Sequence, residues 1–359
     1  KDISFEISGA LGLYGKVIEE TYTVDDTTVE FIRLTQNDGE NHDDLYDHTL
    51  WLFSRHNGDV HRYSVGFFID NDGHLIPKSH TAFCFFPTRE VTGLNFIIHA
   101  PFLLTDSREG IRAGVQHNND MISSLSRLAA DSLVYLKKIG EAKNIQLIDD
   151  NIFDVVPYNE GNFTNVSNTN RISFKPFYTA IKEAFTHEAI IPSNEGFVAA
   201  GNAYWASVPQ IAELFSNQQL SVITNNRSAE WVFTSFGRDD TRRKNKALTS
   251  YIDSITAVWL DEGDILTGWS IEGGSSYDGI TSEFVESQPI EWLHRFYKWL
   301  AETKTRTELI ITKPIFLNQD GKATAAFDAN KHAILFLPTE GGSGYVTINE
   351  SLLQNEETL

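Results

Sequence analysis

The sequence predicts an α+β fold: a mixed sheet covered by one long helix, then a second α+β region. Three observations carry this. Residues 1–100 alternate apolar and polar side chains in the manner of strands. One amphipathic stretch, residues 119–143, has the length and period of a covering helix. Beyond it, short helical and strand-like runs alternate to the C-terminus.

Strand-like runs occupy residues 2–8, 16–23, 28–34, 49–54, 61–69 and 81–86. Asp70-Asn71-Asp72-Gly73 is a turn signature that joins residues 63–69 to Leu75-Ile76 as a hairpin. Residues 94–98, between Gly93 and Pro101, are short and rich in Phe and Ile, which favours a buried strand. In the next segment Met121, Ile122, Leu125, Leu128, Ala129, Leu133, Leu136 and Ile139 recur at spacings of three and four, one face of a helix. Lys137, Lys138 and Lys143 suit the negative pole of its dipole, and Gly140 marks a stop. Residues 144–158 read as a linker and 159–170, rich in Asn, Thr and Gly, as an exposed loop. The predicted domains are therefore 1–150 and 151–359.

In the second region, residues 175–188 have helical spacing, and 189–192 with 196–199 form a short hairpin. A helix starts at Pro209, and residues 248–260 and 290–303 give two more. The aromatic face of the last, Trp292, Phe296 and Tyr297, reads as core. Residues 309–312, 332–337 and 344–348 return to strands.

The chain of 359 residues can bury a sizeable core. Its net charge of -20 repels nucleic acid. The basic stretch 238–246 contains Asp239 and Asp240 and no aromatics, so it reads as a solvated loop or helix start. A single cysteine, Cys84, excludes an internal disulfide, and its apolar neighbours make it a buried thiol. No apolar run is long enough to span a membrane, and nothing resembles a signal peptide, so the expected compartment is cytoplasmic. The chain enters a strand-like run directly at Lys1, without an initiating Met, and reads as a fragment of a longer protein. His42, Asp44 and His48 are competent metal ligands, but their spacing matches no closed ligand set, and the stretch reads as an acidic surface loop. No metal site is predicted.

The candidate site is the loop between the strand at 94–98 and the long helix. It contains Asp106-Ser107-Arg108-Glu109-Gly110, with Arg112 close behind. A loop held between two regular elements is a good place to aim a side chain. Arg108 is always charged and offers a planar fork of donors that matches a phosphate. The plainer alternative is a surface ion pair with Asp106 or Glu109.

Ser107-Arg108-Glu109, after an apolar strand and before a long helix, resembles the middle domain of the ninety-kilodalton heat-shock chaperone family. The wider order is similar to its sacsin-like branch, which includes large bacterial ATP-binding proteins. That order is Phe86-Pro87-Thr88-Arg89-Glu90, then Gly93 through Phe102, then Asp106-Ser107-Arg108-Glu109. The close match spans roughly residues 60–143. A looser one continues through Gln288-Pro289-Ile290-Glu291-Trp292-Leu293 and Lys313-Pro314-Ile315-Phe316-Leu317.

The resemblance implies a fold like the chaperone middle domain. It also implies a catalytic role for Arg108, which would contact the γ-phosphate of ATP bound with Mg2+ in a separate N-terminal domain of the GHKL type. Ser107, Glu109 and Asp106 would support the loop, and Arg112 would be a second cation. One departure stands: a glutamine shortly after the glutamate is part of the family's pattern, whereas this chain has Gly110-Ile111-Arg112, and Gln116 comes late.

The GHKL ATP site itself needs Glu-x-x-x-Asn and a later Asp-x-Gly-x-Gly. Glu213 with Asn217, and Asp261 with Gly263, imitate these, but the final glycine is missing and the order is reversed. The expectation is thus the middle and C-terminal part of a chaperone-like ATPase that binds no nucleotide alone. Its partners would be its own N-terminal ATPase domain and a protein client or a second copy, with no nucleic acid and no membrane. The alternative is an interaction module, in which the Trp- and Phe-rich second half grips a protein partner.

Overall fold

The protein is described by a computed structural model covering residues 13–37, 48–57, 61–164, 171–270, 276–302, 310–339 and 344–354. It is an α+β chain of two compact units. One unit holds residues 1–192 together with 241–255; the other holds 193–240 and 256–359. The first unit thus runs on past residue 150 and takes in a later segment.

The first unit is built on a seven-stranded sheet. Its strands are β1 (Leu13–Val24), β2 (Thr27–Asn37), β3 (His48–Asn57), β4 (His61–Ile69), β5 (Thr81–Cys84), β6 (Phe86–Val91) and β7 (Ile97–His99). The order is β1-β2-β3-β4-β7-β5-β6. Every pair is antiparallel except β7 with β5, so the sheet is mixed. The turn at Asp70 closes as the sequence implies: Ile76 N–H bonds the Phe68 carbonyl at 3.0 Å. Residues 2–8 lie outside the described residues.

Two strand expectations change. The run at 81–86 breaks at Phe85, whose φ of 60° reverses the chain and starts β6. The run at 94–98 is extended only from Ile97, because its earlier groups bond elsewhere: the Asn95 carbonyl accepts Lys78 N–H, and the Asn95 amide donates to the Asp154 carbonyl.

Helix α1 (Gln116–Lys143) covers the sheet over β3 and β4. All eight residues of the predicted apolar face are buried. Arg55 ties the helix to the sheet. It reaches Asp131 at 2.7 Å, Tyr135 at 3.2 Å and, at the β1–β2 turn, Asp26 at 2.7 Å. The helix does not stop at Gly140. Asn144, with φ 54°, is the left-handed residue that ends it. Asn144 N–H bonds the Glu141 carbonyl and Ile145 N–H the Gly140 carbonyl, a Schellman arrangement. Gly140 is needed for that return, since a Cβ there would lie 2.7 Å from the Ile145 oxygen.

The predicted linker is part of the packing. Leu147, Ile148, Ile152, Phe153, Val155 and Val156 are buried, and residues Ile152–Val155 form the short α2. Its Asp149-Asp150-Asn151 turn imitates a linker by its polar side chains, yet the Asp149 carboxylate is held by His74 Nδ1 at 2.8 Å. The loop at 159–170 is described as far as a single turn, α3 (Gly161–Thr164). Helix α4 (Lys175–His187) packs on α1 through Phe177, Ile181 and Phe185.

Strands β8 (Ile191–Ser193) and β9 (Gly196–Val198) form the predicted hairpin. In the second unit, β10 (Ala203–Ala206) leads into α5 (Pro209–Leu214), α6 (Asn217–Ile223) and β11 (Glu230–Trp231). The chain then supplies α7 (Thr241–Lys244) and α8 (Lys246–Asp253) to the first unit, and returns as β12 (Val258–Leu260). Strands β11, β10 and β12 make a parallel sheet in that order. The expected helix at 248–260 is therefore two elements. It ends at Asp253, and the apolar Val258-Trp259-Leu260 pairs with β10 instead.

Next come α9 (Glu262–Thr267), the paired strands β13 (Trp269–Ser270) and β14 (Ser276–Tyr277), α10 (Ser282–Glu286) and α11 (Ile290–Glu302). The last pair is β15 (Phe316–Leu317) with β16 (Ala323–Thr324). The aromatic face of α11 is buried as expected, with Trp292, Phe296 and Trp299 gathered round Phe215. Ile310 and Ile311 lie in a helical turn, where a strand was expected. Residues 332–337 and 344–348 form only isolated bridges, such as Phe336 with Thr347. Among the described residues no helix is long and apolar enough to cross a membrane.

Candidate functional site

The loop after β7 is a small hairpin mounted on the start of α1. Leu104 and Ile111 bridge its two arms. Thr105 N–H bonds the Gly110 carbonyl at 2.8 Å, and Arg112 N–H bonds the Leu103 carbonyl at 2.9 Å. Inside it, Arg108 N–H bonds the Thr105 carbonyl at 2.8 Å, while Thr105 Oγ1 accepts from Gly110 N–H. The hydroxyls of Ser107 and Thr105 bond each other at 3.2 Å.

Asn118, two residues into α1 from Gln116, is fully buried and clamps both arms. Its Oδ1 accepts Leu103 N–H, and its Nδ2 donates to the carbonyls of Leu103 and Arg112, each at 2.8 Å. Leaving such groups unpaired would cost about 1–3 kcal/mol apiece. A third attachment comes from the edge strand β6. Arg89 N–H bonds the Glu109 carbonyl at 2.6 Å, and Ile111 N–H approaches Glu90 Oε2 at 3.4 Å.

The charges on this loop sort themselves into pairs, with one left over. Arg112 holds Asp106 at 2.7 Å and Arg89 holds Glu109 at 3.1 Å. The two carboxylates that Arg108 was expected to use on the plainer reading are thus bound to other arginines. Arg108 is exposed, and its guanidinium has no partner among the described residues. Its φ is 59°, a left-handed conformation that costs a residue with a Cβ about 1–2 kcal/mol. The hydrogen bonds on either side of it hold that conformation in place.

Of the five residues singled out from the sequence, four therefore serve the loop itself. Asp106 pairs with Arg112, which is accordingly committed rather than a free second cation. Ser107 and Glu109 brace the turn and its tie to β6. Gln116 opens α1 and bonds Asp120 at 2.8 Å, away from the loop. Sequence reasoning missed Asn118, Thr105 and the anchoring role of Arg89.

The residues that imitate a GHKL site have other tasks. Glu213 and Asn217 stand on separate helices, because Ser216 caps α6 between them. Asn217 Oδ1 accepts Trp231 N–H at 2.9 Å. Asp261 caps α9 through Asp264 N–H at 2.8 Å. In the basic stretch, Arg242 bonds Asn151, and Asn245 caps α8 and reaches the Tyr158 hydroxyl. Cys84 is buried, and its thiol, pushed up by burial, donates to the Phe102 carbonyl. His42 and Asp44 lie outside the described residues, as does the His48 side chain. Among the described residues no group of three His, Cys, Asp or Glu side chains could hold a metal ion.

A concavity of about 700 Å3 lies in the second unit, floored by Phe284 and Trp292, with Gln219 bonded to Gln288 beside it. No family model, no curated protein and no solved structure matches this chain.

Proposed function

We propose that this chain is the middle and C-terminal part of a GHKL-type, chaperone-like ATPase, and that Arg108 reaches the γ-phosphate of ATP held with Mg2+ by an N-terminal domain of the same protein. The observation that carries the reading is the unpaired, exposed guanidinium of Arg108 on a loop whose other charges are matched. A cation whose backbone is held by the loop is placed to meet charge that develops on a transferred phosphoryl group. An arginine used in this way contributes a factor of roughly 10³–10⁵ in turnover.

The likeness of Ser107-Arg108-Glu109 and its flanks to the chaperone middle domain supports the same reading. So does a mixed sheet covered by one long helix. On this reading the chain by itself turns over no ATP. Closure of the loop on the nucleotide would couple hydrolysis to rearrangement of the rest of the protein.

The test is steady-state ATP turnover by the intact parent protein, wild type against Arg108→Ala, with nucleotide affinity measured alongside. The expected outcome is a fall of about a hundredfold or more with affinity largely kept. Unchanged turnover removes Arg108 from the chemistry.

A second reading, a partner-binding module, draws on one observation in the second unit. Ile334, Phe336, Leu337, Tyr345 and Val346 are exposed apolar side chains close together in sequence, and Phe336 and Tyr345 touch. Most tryptophans of the second half are core: Trp205, Trp231, Trp292 and Trp299 are buried. A parent protein without any ATP turnover would bring this reading forward.

A further inference from the structure

We infer that Asn118 is a positioning residue for Arg108: it sets where the guanidinium stands by clamping both arms of the loop. This rests on the reading that Arg108 meets a phosphate.

The argument begins with a cost. Asn118 is a polar side chain with no exposure, on a helix face that continues as Met121, Ile122 and Leu125. An apolar residue would fill that position without desolvating an amide. The return is specific. One acceptor and two donors are spent on three backbone groups, all of them at the two ends of the loop. Within the loop, Thr105 passes this constraint on to the Arg108 backbone. The chain from α1 to the Arg108 backbone, from which the guanidinium projects, is therefore Asn118, the arms at Leu103 and Arg112, Thr105, then Arg108.

Asn118 has no role on the nucleotide in this scheme. It converts the placement of α1 into the reach of Arg108, and a misplacement of about 1 Å at a reacting centre can cost a hundredfold in rate.

The experiment measures ATP turnover and nucleotide affinity in the intact parent protein for wild type, Asn118→Ala, Arg108→Ala and the double variant. Asn118→Ala is expected to lower turnover about tenfold to a hundredfold with affinity kept. In the Arg108→Ala background it is expected to cost nothing further, because its effect runs only through Arg108. General damage to the fold would instead add to the loss in that background.

Additive losses, or full turnover in Asn118→Ala beside an impaired Arg108→Ala, overturn the positioning role and leave that of Arg108 standing. Full turnover in Arg108→Ala removes both. If Asn118→Ala does not fold, Asn118→Ser carries the same comparison, since it adds no charge to the buried site and its single hydroxyl cannot make all three bonds to the two arms.

Discussion

His99 holds Phe85 by a hydrogen bond, with Phe85 N–H donating to its Nε2 at 3.3 Å. That bond needs a lone pair on Nε2, hence a neutral ring. Burial first, and the Arg62 charge second, push its pKa below the ordinary histidine value. A histidine with a depressed folded pKa binds protons more readily in the unfolded chain. Its contribution is therefore intact above about pH 6.5, and stability falls as the pH drops from there toward the folded value. Urea unfolding from neutral to mildly acid pH should show that loss, and His99→Gln should flatten the slope. At this scale the sequence was partly legible. Arg108 stands out as a cation between regular elements. Its freedom does not, because it depends on Arg89, nineteen positions earlier, taking Glu109. Asn118 was hidden for a similar reason: its partners are backbone groups, which carry no signature in side-chain pattern.

Regular elements were read well where one period runs unbroken. The eight apolar residues read for α1 are all buried, although the face also takes in Ala130 and Tyr135, and the true start at Gln116 lay only three residues ahead of the expected one. Ends were read less well, because a glycine has more than one use. Gly140 looked like a stop, yet it is the close-approach site under the returning chain, and Asn144 supplies the left-handed turn. Gly140→Ala should therefore destabilise the protein by about 1–3 kcal/mol through backbone displacement. A thermal or urea melt checks this; an unchanged midpoint would mean that the return at Ile145 relaxes freely. The split of residues 248–260 has a different origin. Local spacing could not distinguish a continuing helix from a short strand whose partner, β10, lies some fifty residues earlier.

The division of the whole chain was the least legible feature. Polar residues at 149–151 suggested a boundary, but the apolar residues on both sides of them are core, and α4 belongs with α1. A chain ended at residue 150 would strip that cover from α1. It should bind a hydrophobic dye more strongly than the full chain does and form larger aggregates in size exclusion. A monomeric, dye-silent fragment would show that residues 1–150 suffice.

The nested segment 241–255 has a further result for inheritance. No single crossover point along this chain leaves both units whole. A recombination event at any one position carries part of one unit away with the other, so both units pass on whole only when the chain passes on undivided.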